Sequence, residues 1–114
     1  MWRPYWAVSA LVVVAVLTAA DLSGTWDVDV TFDDPAVEGG DIDCVIKQNG
    51  EQLQGTCSGG TAPLAGEVNG QSVKWRIGGA GHTFNGTLDE TGTRIKGRFT
   101  AAGKDGSFTA LKSK

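Results

Sequence analysis

The chain has 114 residues, a formal net charge of −3 and 20% charged residues, which limits it to one small domain. This modest acidity argues against nucleic acid or an anionic membrane surface as the main partner.

The beginning of the chain differs in composition from the rest. Arg3 is its only charged residue, and Ala7–Leu17 is an apolar run too short to span a bilayer comfortably. Small residues follow this run. We therefore predict that residues 1–20 are a secretory signal peptide cleaved after Ala20, with an uncleaved N-terminal anchor as the alternative. Residues 21–114 then form one secreted or periplasmic domain with no stable membrane insertion after cleavage.

Eight short runs that alternate apolar and polar residues follow the leader, separated by turn signals. Asn49-Gly50 and Asn69-Gly70 are dipeptides typical of tight hairpins, and no window shows sustained helical periodicity. The predicted strands cover residues 24–33, 42–48, 52–58, 63–68, 72–78, 82–88, 94–100 and 105–111. This pattern predicts an all-β fold, an eight-stranded antiparallel up-and-down β-barrel. An open two-sheet sandwich is the alternative.

A five-residue repeat, apolar-x-Gly-x-apolar, recurs around Gly24, Gly55, Gly66, Gly86 and Gly97. Period two directs each Gly inward with its apolar neighbours, where it lets coiled strands bend and approach closely. The predicted interior holds Trp26, Val28, Val30, Phe32, Ile42, Ile46, Leu53, Leu64, Val68, Val73, Trp75, Ile77, Phe84, Leu88, Ile95, Phe99 and Phe108. Eight strands enclose a space that side chains just fill or that holds one small ligand. The sequence does not decide between a filled and a ligand-holding interior, because bulky aromatic residues take up space there while inward glycines leave gaps.

Two cysteines lie on the arms of the hairpin around Asn49-Gly50. Cys44 and Cys57 both point inward by parity, and a loop from Asn49 to Gln52 places them opposite each other. We predict a structural disulfide, which exported small domains often use. A redox-active dithiol or a metal pair is the alternative.

Gly24-Thr25-Trp26, at the start of the first strand, resembles the Gly-x-Trp opening of lipocalins and of the wider calycin group. In that group the Trp closes one end of the barrel and a basic residue near the last strand packs across it. The resemblance thus implies barrel closure by Gly24, Trp26 and Lys112. It also implies a binding protein that takes a small hydrophobic ligand into its lumen. The implied ligand-lumen residues are Trp26, Phe32, Trp75, Phe84 and Phe99, with His82 at the mouth.

The alternative function is a filled barrel that acts through its surface. The Ser-Gly-x-Trp opening is also similar to that of bacterial periplasmic inhibitors of secreted metalloproteases, which are small disulfide-bonded barrels. Five outward cations flank a polar stripe on the sixth strand and form a surface patch for an anionic glycan or an acidic protein. These cations are Lys74, Arg76, Arg94, Lys96 and Arg98. A merely solvated face is the simpler interpretation.

Little in the sequence indicates catalysis. His82 is the only His, and no nucleophile lies near a base, so we predict no enzyme activity, no cofactor and no metal site. His82 is either a polar contact at the mouth or a plain turn residue. The longest connection, residues 33–41, is acidic, and the resemblance to lipocalin-like barrels implies that it lies over the open end as a lid. Calcium binding and simple solvation are its two alternatives.

Overall fold

The computed structural model describes residues 21–78 and 81–113, so the predicted signal peptide lies outside the described residues. The described part contains eight strands and no helix. The strands are β1 (Gly24–Phe32), β2 (Gly40–Asn49), β3 (Gln52–Cys57), β4 (Ala62–Asn69), β5 (Ser72–Ile77), β6 (His82–Leu88), β7 (Arg94–Ala101) and β8 (Lys104–Lys112). No helix among these residues has the length and apolarity needed to cross a membrane.

The eight strands form a closed barrel in which each strand pairs antiparallel with its neighbours in sequence, and β8 pairs back to β1. This confirms the predicted barrel and excludes the open sandwich. The strands form because apolar and polar residues alternate at period two. In β5, for example, Val73, Trp75 and Ile77 are buried, while the residues between them are exposed.

Tight turns hold the hairpins in register. Asn49 pairs with Gln52, so the β2–β3 turn consists of Gly50 and Glu51, and Gly50 has φ 66°. Glycine adopts this left-handed conformation without steric cost. By contrast, the β1–β2 connection spans residues 33–39. It is shorter than predicted, because β2 begins at Gly40, where the chain already pairs with Val30 of β1.

Inward glycines bring neighbouring strands unusually close together. A Cβ atom on Gly55, Gly66 or Gly97 would collide with a backbone carbonyl oxygen of the adjacent strand. These positions therefore exclude any side chain, which explains the Gly repeat as a requirement of tight strand coiling.

The core fills the barrel interior, and no polar or charged residue is buried among the described residues. The sequence prediction named most of its members but omitted Leu22 and Ala110, both fully buried. Phe32 and Ile42, predicted inside, are only half-buried, because β1 ends and β2 begins at the same rim of the barrel.

The predicted disulfide is confirmed. Cys44 and Cys57 are direct partners in the β2–β3 register, with 4.0 Å between their Cα atoms, and the bridge spans 13 positions of sequence. Both cysteines are buried in the core, so the bridge fixes the two strands from inside the barrel.

Candidate functional site

One end of the barrel is sealed by the segment before β1. Leu22 is fully buried, and its carbonyl oxygen accepts a hydrogen bond of 2.9 Å from the indole N–H of Trp26. The backbone N–H of Leu22 donates to Oε1 of Gln48 at 2.8 Å, and the backbone N–H of Gln48 donates to the Ser23 hydroxyl at 3.0 Å. The segment is thus tied to both β1 and β2 across this closed end.

The residues predicted to close the barrel meet at this same end. Gly24 begins β1 with φ 143°, and Trp26 lies in register with Lys112 of β8. The Lys112 ammonium donates to the Asp21 carbonyl oxygen at 3.0 Å. Lys112 therefore ties the end of β8 to the segment that covers Trp26.

The opposite end of the barrel has an apolar rim. Phe32, Ile42, Ala62 and Ala101 are partly buried and pack against the core, at positions where strands enter or leave this end. His82 is also half-buried there, at the start of β6 and opposite Ile77. The β1–β2 connection starts at the same rim.

Aromatic rings run in contact from the rim into the interior. Phe32 meets Phe99 edge-on, with 5.1 Å between ring centroids. Phe99 stacks on Phe84 at 5.3 Å, and Phe84 stacks on Trp75 at 5.4 Å. Phe108 packs edge-on against Trp75 and Phe84 at 5.4 and 5.2 Å. Four of the five predicted lumen aromatics thus form one connected cluster with Phe108, whereas Trp26 lies at the closed end, where its indole is bonded to Leu22.

Two glycines provide the space that these rings occupy. A Cβ atom on Gly86 would lie 2.9 Å from Cζ of Phe108, and one on Gly106 would lie 2.6 Å from Cε1 of Phe99. The gaps left by these glycines are therefore filled by phenylalanine rings. A molecule that enters the interior must displace rings of this cluster.

Trp75 carries the one buried side-chain polar atom without a protein partner among residues 21–78 and 81–113. Its side chain is 3% exposed, and its indole Nε1 has no acceptor. A buried donor left unpaired costs about 1–3 kcal/mol. Trp26 shows the contrast, because its indole is bonded to Leu22. Sequence reasoning placed Trp75 in the lumen but missed this donor, since its pairing depends on tertiary neighbours.

The five cations of the predicted surface patch lie in three different surroundings. The Arg98 guanidinium forms a two-pronged ion pair with the Asp33 carboxylate, with 3.0 Å between Nη1 and Oδ1. Lys74 and Arg76 instead line a groove of about 610 Å³ on the outer face of β4–β6. Arg94 and Lys96 are exposed on β7.

The groove on the outer face of β4–β6 has further lining residues besides Lys74 and Arg76. They are Gln52, Ala65, Gly66, Glu67, Trp75, Thr83, Phe84 and Asn85. Sequence reasoning missed Gln52 and Glu67, although the outward parity of Glu67 on the strand next to the cationic strand was visible.

Three described carboxylates have a lowered pKa. The hydrogen bond from Arg98 lowers the pKa of Asp33, and a hydrogen bond from the Ser23 backbone N–H lowers that of Asp21. At Asp89, desolvation would raise the pKa, but hydrogen bonds within its turn outweigh it. Each is thus held in its charged form, whereas a general acid at neutral pH needs a raised pKa. Across the described ranges, no three His, Cys, Asp or Glu side chains converge as a metal site requires.

No protein-family model matches the chain, and no curated protein matches it. The solved structures that are similar to it include two β-barrels. A de novo designed fluorescence-activating β-barrel has a TM-score of 0.48 and 17% identity over 80% of this chain and 93% of the design. A redesigned β-barrel, mFAP1, bound to DFHBI, has a TM-score of 0.46 and 20% identity over 80% of this chain and 94% of that one. At these identities the similarities concern the fold alone.

Proposed function

We propose that this protein is an exported, calycin-like binding protein that takes one small apolar molecule through the open end of its barrel. The difference between the two ends supports this proposal most directly. Leu22 and Trp26 seal one end, whereas the other exposes a half-buried apolar rim that includes Phe32 and Ile42. Binding sites for small molecules are mostly apolar concavities with few polar groups.

The ligand enters by displacing rings rather than by filling an existing void. Phe32 is half-buried at the rim and contacts Phe99, so it is the first ring that an incoming molecule meets. An apolar ligand makes van der Waals contacts with the core in place of those that the displaced rings made. The free energy needed to open the interior is therefore low. In this proposal the protein binds without catalysing a reaction.

The test combines native mass spectrometry with a fluorescent probe. Protein purified from its own compartment should begin at Asp21 and carry a reproducible extra mass that dissociates on activation. The ligand-stripped protein should bind N-phenyl-1-naphthylamine with one-to-one saturation. Phe32→Ser should weaken this binding about tenfold. Leu111→Ser is the matched control, because Leu111 is 44% exposed on the outer face, and it should leave binding unchanged.

Two results would contradict the proposal. One is a protein that carries no extra mass and takes up neither the naphthylamine nor a set of fatty acids. The other is an equal loss of binding in Phe32→Ser and Leu111→Ser, which would indicate adsorption to exposed apolar surface.

The second candidate function is recognition of an acidic partner by the outer groove. The groove of about 610 Å³ supports it, because Lys74 and Arg76 line it and form no ion pair with any described residue. The double substitution Lys74→Glu, Arg76→Glu should then abolish partner capture, while Phe32→Ser spares it. The opposite result favours the interior.

A further inference from the structure

We infer that the indole N–H of Trp75 is the polar contact by which the interior recognises its ligand, and that this ligand carries one neutral hydrogen-bond acceptor. The inference rests on the proposed function and adds to it the chemical class of the ligand. It also assigns a specificity-determining residue inside the barrel.

The first observation is that the Trp75 donor is alone in an apolar interior. Trp75 is 3% exposed, and its Nε1 has no protein acceptor among the described residues. The core around it contains hydrophobic side chains and the Cys44–Cys57 bridge, with no buried polar or charged residue. An acceptor on the ligand is therefore the group that this environment lacks, and pairing it removes the penalty of a buried free donor.

The second observation concerns charge. The described interior has no buried Lys, Arg or His to balance an anion. A carboxylate or phosphate brought to Trp75 would be buried with a single donor and no counter-ion, which is strongly unfavourable. Equally, the buried side chains offer no oxygen acceptor to a ligand hydroxyl or amine. The ligand is thus a ketone, ester, ether or tertiary amide with an otherwise apolar body.

The third observation concerns shape. The Trp75 ring is stacked on Phe84 at 5.4 Å and met edge-on by Phe108 at the same separation. A molecule that reaches the indole N–H takes the place of one of these rings. Flat cyclic molecules restore stacking and edge contacts that a linear chain does not. The geometry therefore favours a ring-bearing acceptor over a fatty acyl chain.

A matched pair of probes tests the inference. 2-Acetylnaphthalene and 2-isopropenylnaphthalene have nearly the same shape, but only the first has a carbonyl acceptor. Their dissociation constants are measured by calorimetry on the mature protein. The acetyl probe should bind about tenfold tighter, the effect of one net hydrogen bond. In Trp75→Phe the ratio should fall to about one, while the outer-face variant Leu111→Ser should keep it, since Leu111 is 44% exposed and lies outside the interior.

A second measurement uses only the native protein, so it does not depend on whether a variant folds. In a proton–nitrogen correlation spectrum of the native protein, the acetyl probe should move the Trp75 indole N–H resonance downfield. The isopropenyl probe should not, and neither probe should move that of Trp26. Equal affinities, or a ratio that persists in Trp75→Phe, overturn the inference and leave ligand binding intact. If neither probe binds, the proposed function fails and the inference fails with it.

Discussion

Replacing Gly86 by Ala tests how the interior is filled. The added Cβ atom would lie 2.8 Å from Cγ2 of Ile95, 2.9 Å from the Lys96 carbonyl oxygen and 2.9 Å from Cζ of Phe108. Carbon atoms in proteins do not approach this closely, so the Phe108 ring must shift or the strand must move. Overpacking a core by one methyl typically costs about 1–3 kcal/mol. We expect Gly86→Ala to fall in that range.

The double variant isolates the ring contact. Phe108→Leu shortens the side chain and removes the ring tip that meets the new methyl group. The cost of Gly86→Ala, Phe108→Leu should therefore be smaller than the sum of the single costs, by about 1 kcal/mol, as for other residues in direct contact. The contact with the Lys96 carbonyl oxygen remains, so the rescue should be incomplete.

Urea unfolding followed by tryptophan fluorescence and circular dichroism gives the free energies for this cycle. Gly40→Ala is the matched control. No atom lies within 4 Å of its added Cβ, so the substitution should be neutral or stabilise by about 0.5 kcal/mol. Strictly additive costs for Gly86→Ala and Phe108→Leu would refute the idea that this glycine accommodates the ring.

Three further predictions concern stability and charge. Reduction of Cys44–Cys57 should lower the free energy of unfolding by about 3 kcal/mol, measured in urea with and without reductant, because the bridge closes a loop of 13 positions. Leu22→Ala should cost about 2–5 kcal/mol in the same assay, since Leu22 is fully buried at the closed end. The Asp33 pKa should lie below its ordinary value of 3.8 and return towards it in Arg98→Gln, by nuclear magnetic resonance titration. Because this pKa is lowered on folding, the contribution of the ion pair to stability is present above the unfolded value and is lost as pH falls through the folded one.

The barrel and its disulfide could be predicted from sequence because both depend on local patterns. Alternation at period two decides which face of a strand is buried, and tight turns fix the register of neighbouring strands. Cys44 and Cys57 follow directly from these two rules, since they lie on the arms of one hairpin. For the same reason, the Gly repeat indicated close strand approach before any neighbour was known.

The contents of the interior could not be predicted, because they depend on strands that are not adjacent in sequence. Phe108 of β8 packs against Gly86 of β6, with Gly97 of β7 between them in the register, so this contact skips a strand and is encoded by no single hairpin. Arg98 and Asp33 are 65 positions apart, so their pairing was equally hidden. Leu22 precedes the first strand, although its place at the head of the first Gly repeat was a usable signal.

The pairing of β1 with β8 has a consequence for the order of folding. Every other neighbouring pair of strands is consecutive along the chain, whereas β1 pairs with β8, the last strand. Trp26 can therefore pair with Lys112 only after the rest of the domain has been synthesised. Until then, the edge of β1 that faces β8 is unpaired. The segment that must close to bring β1 and β8 together has nearly the length of the domain. Joining this seam is therefore the step of highest contact order and the natural candidate for the slowest event in folding.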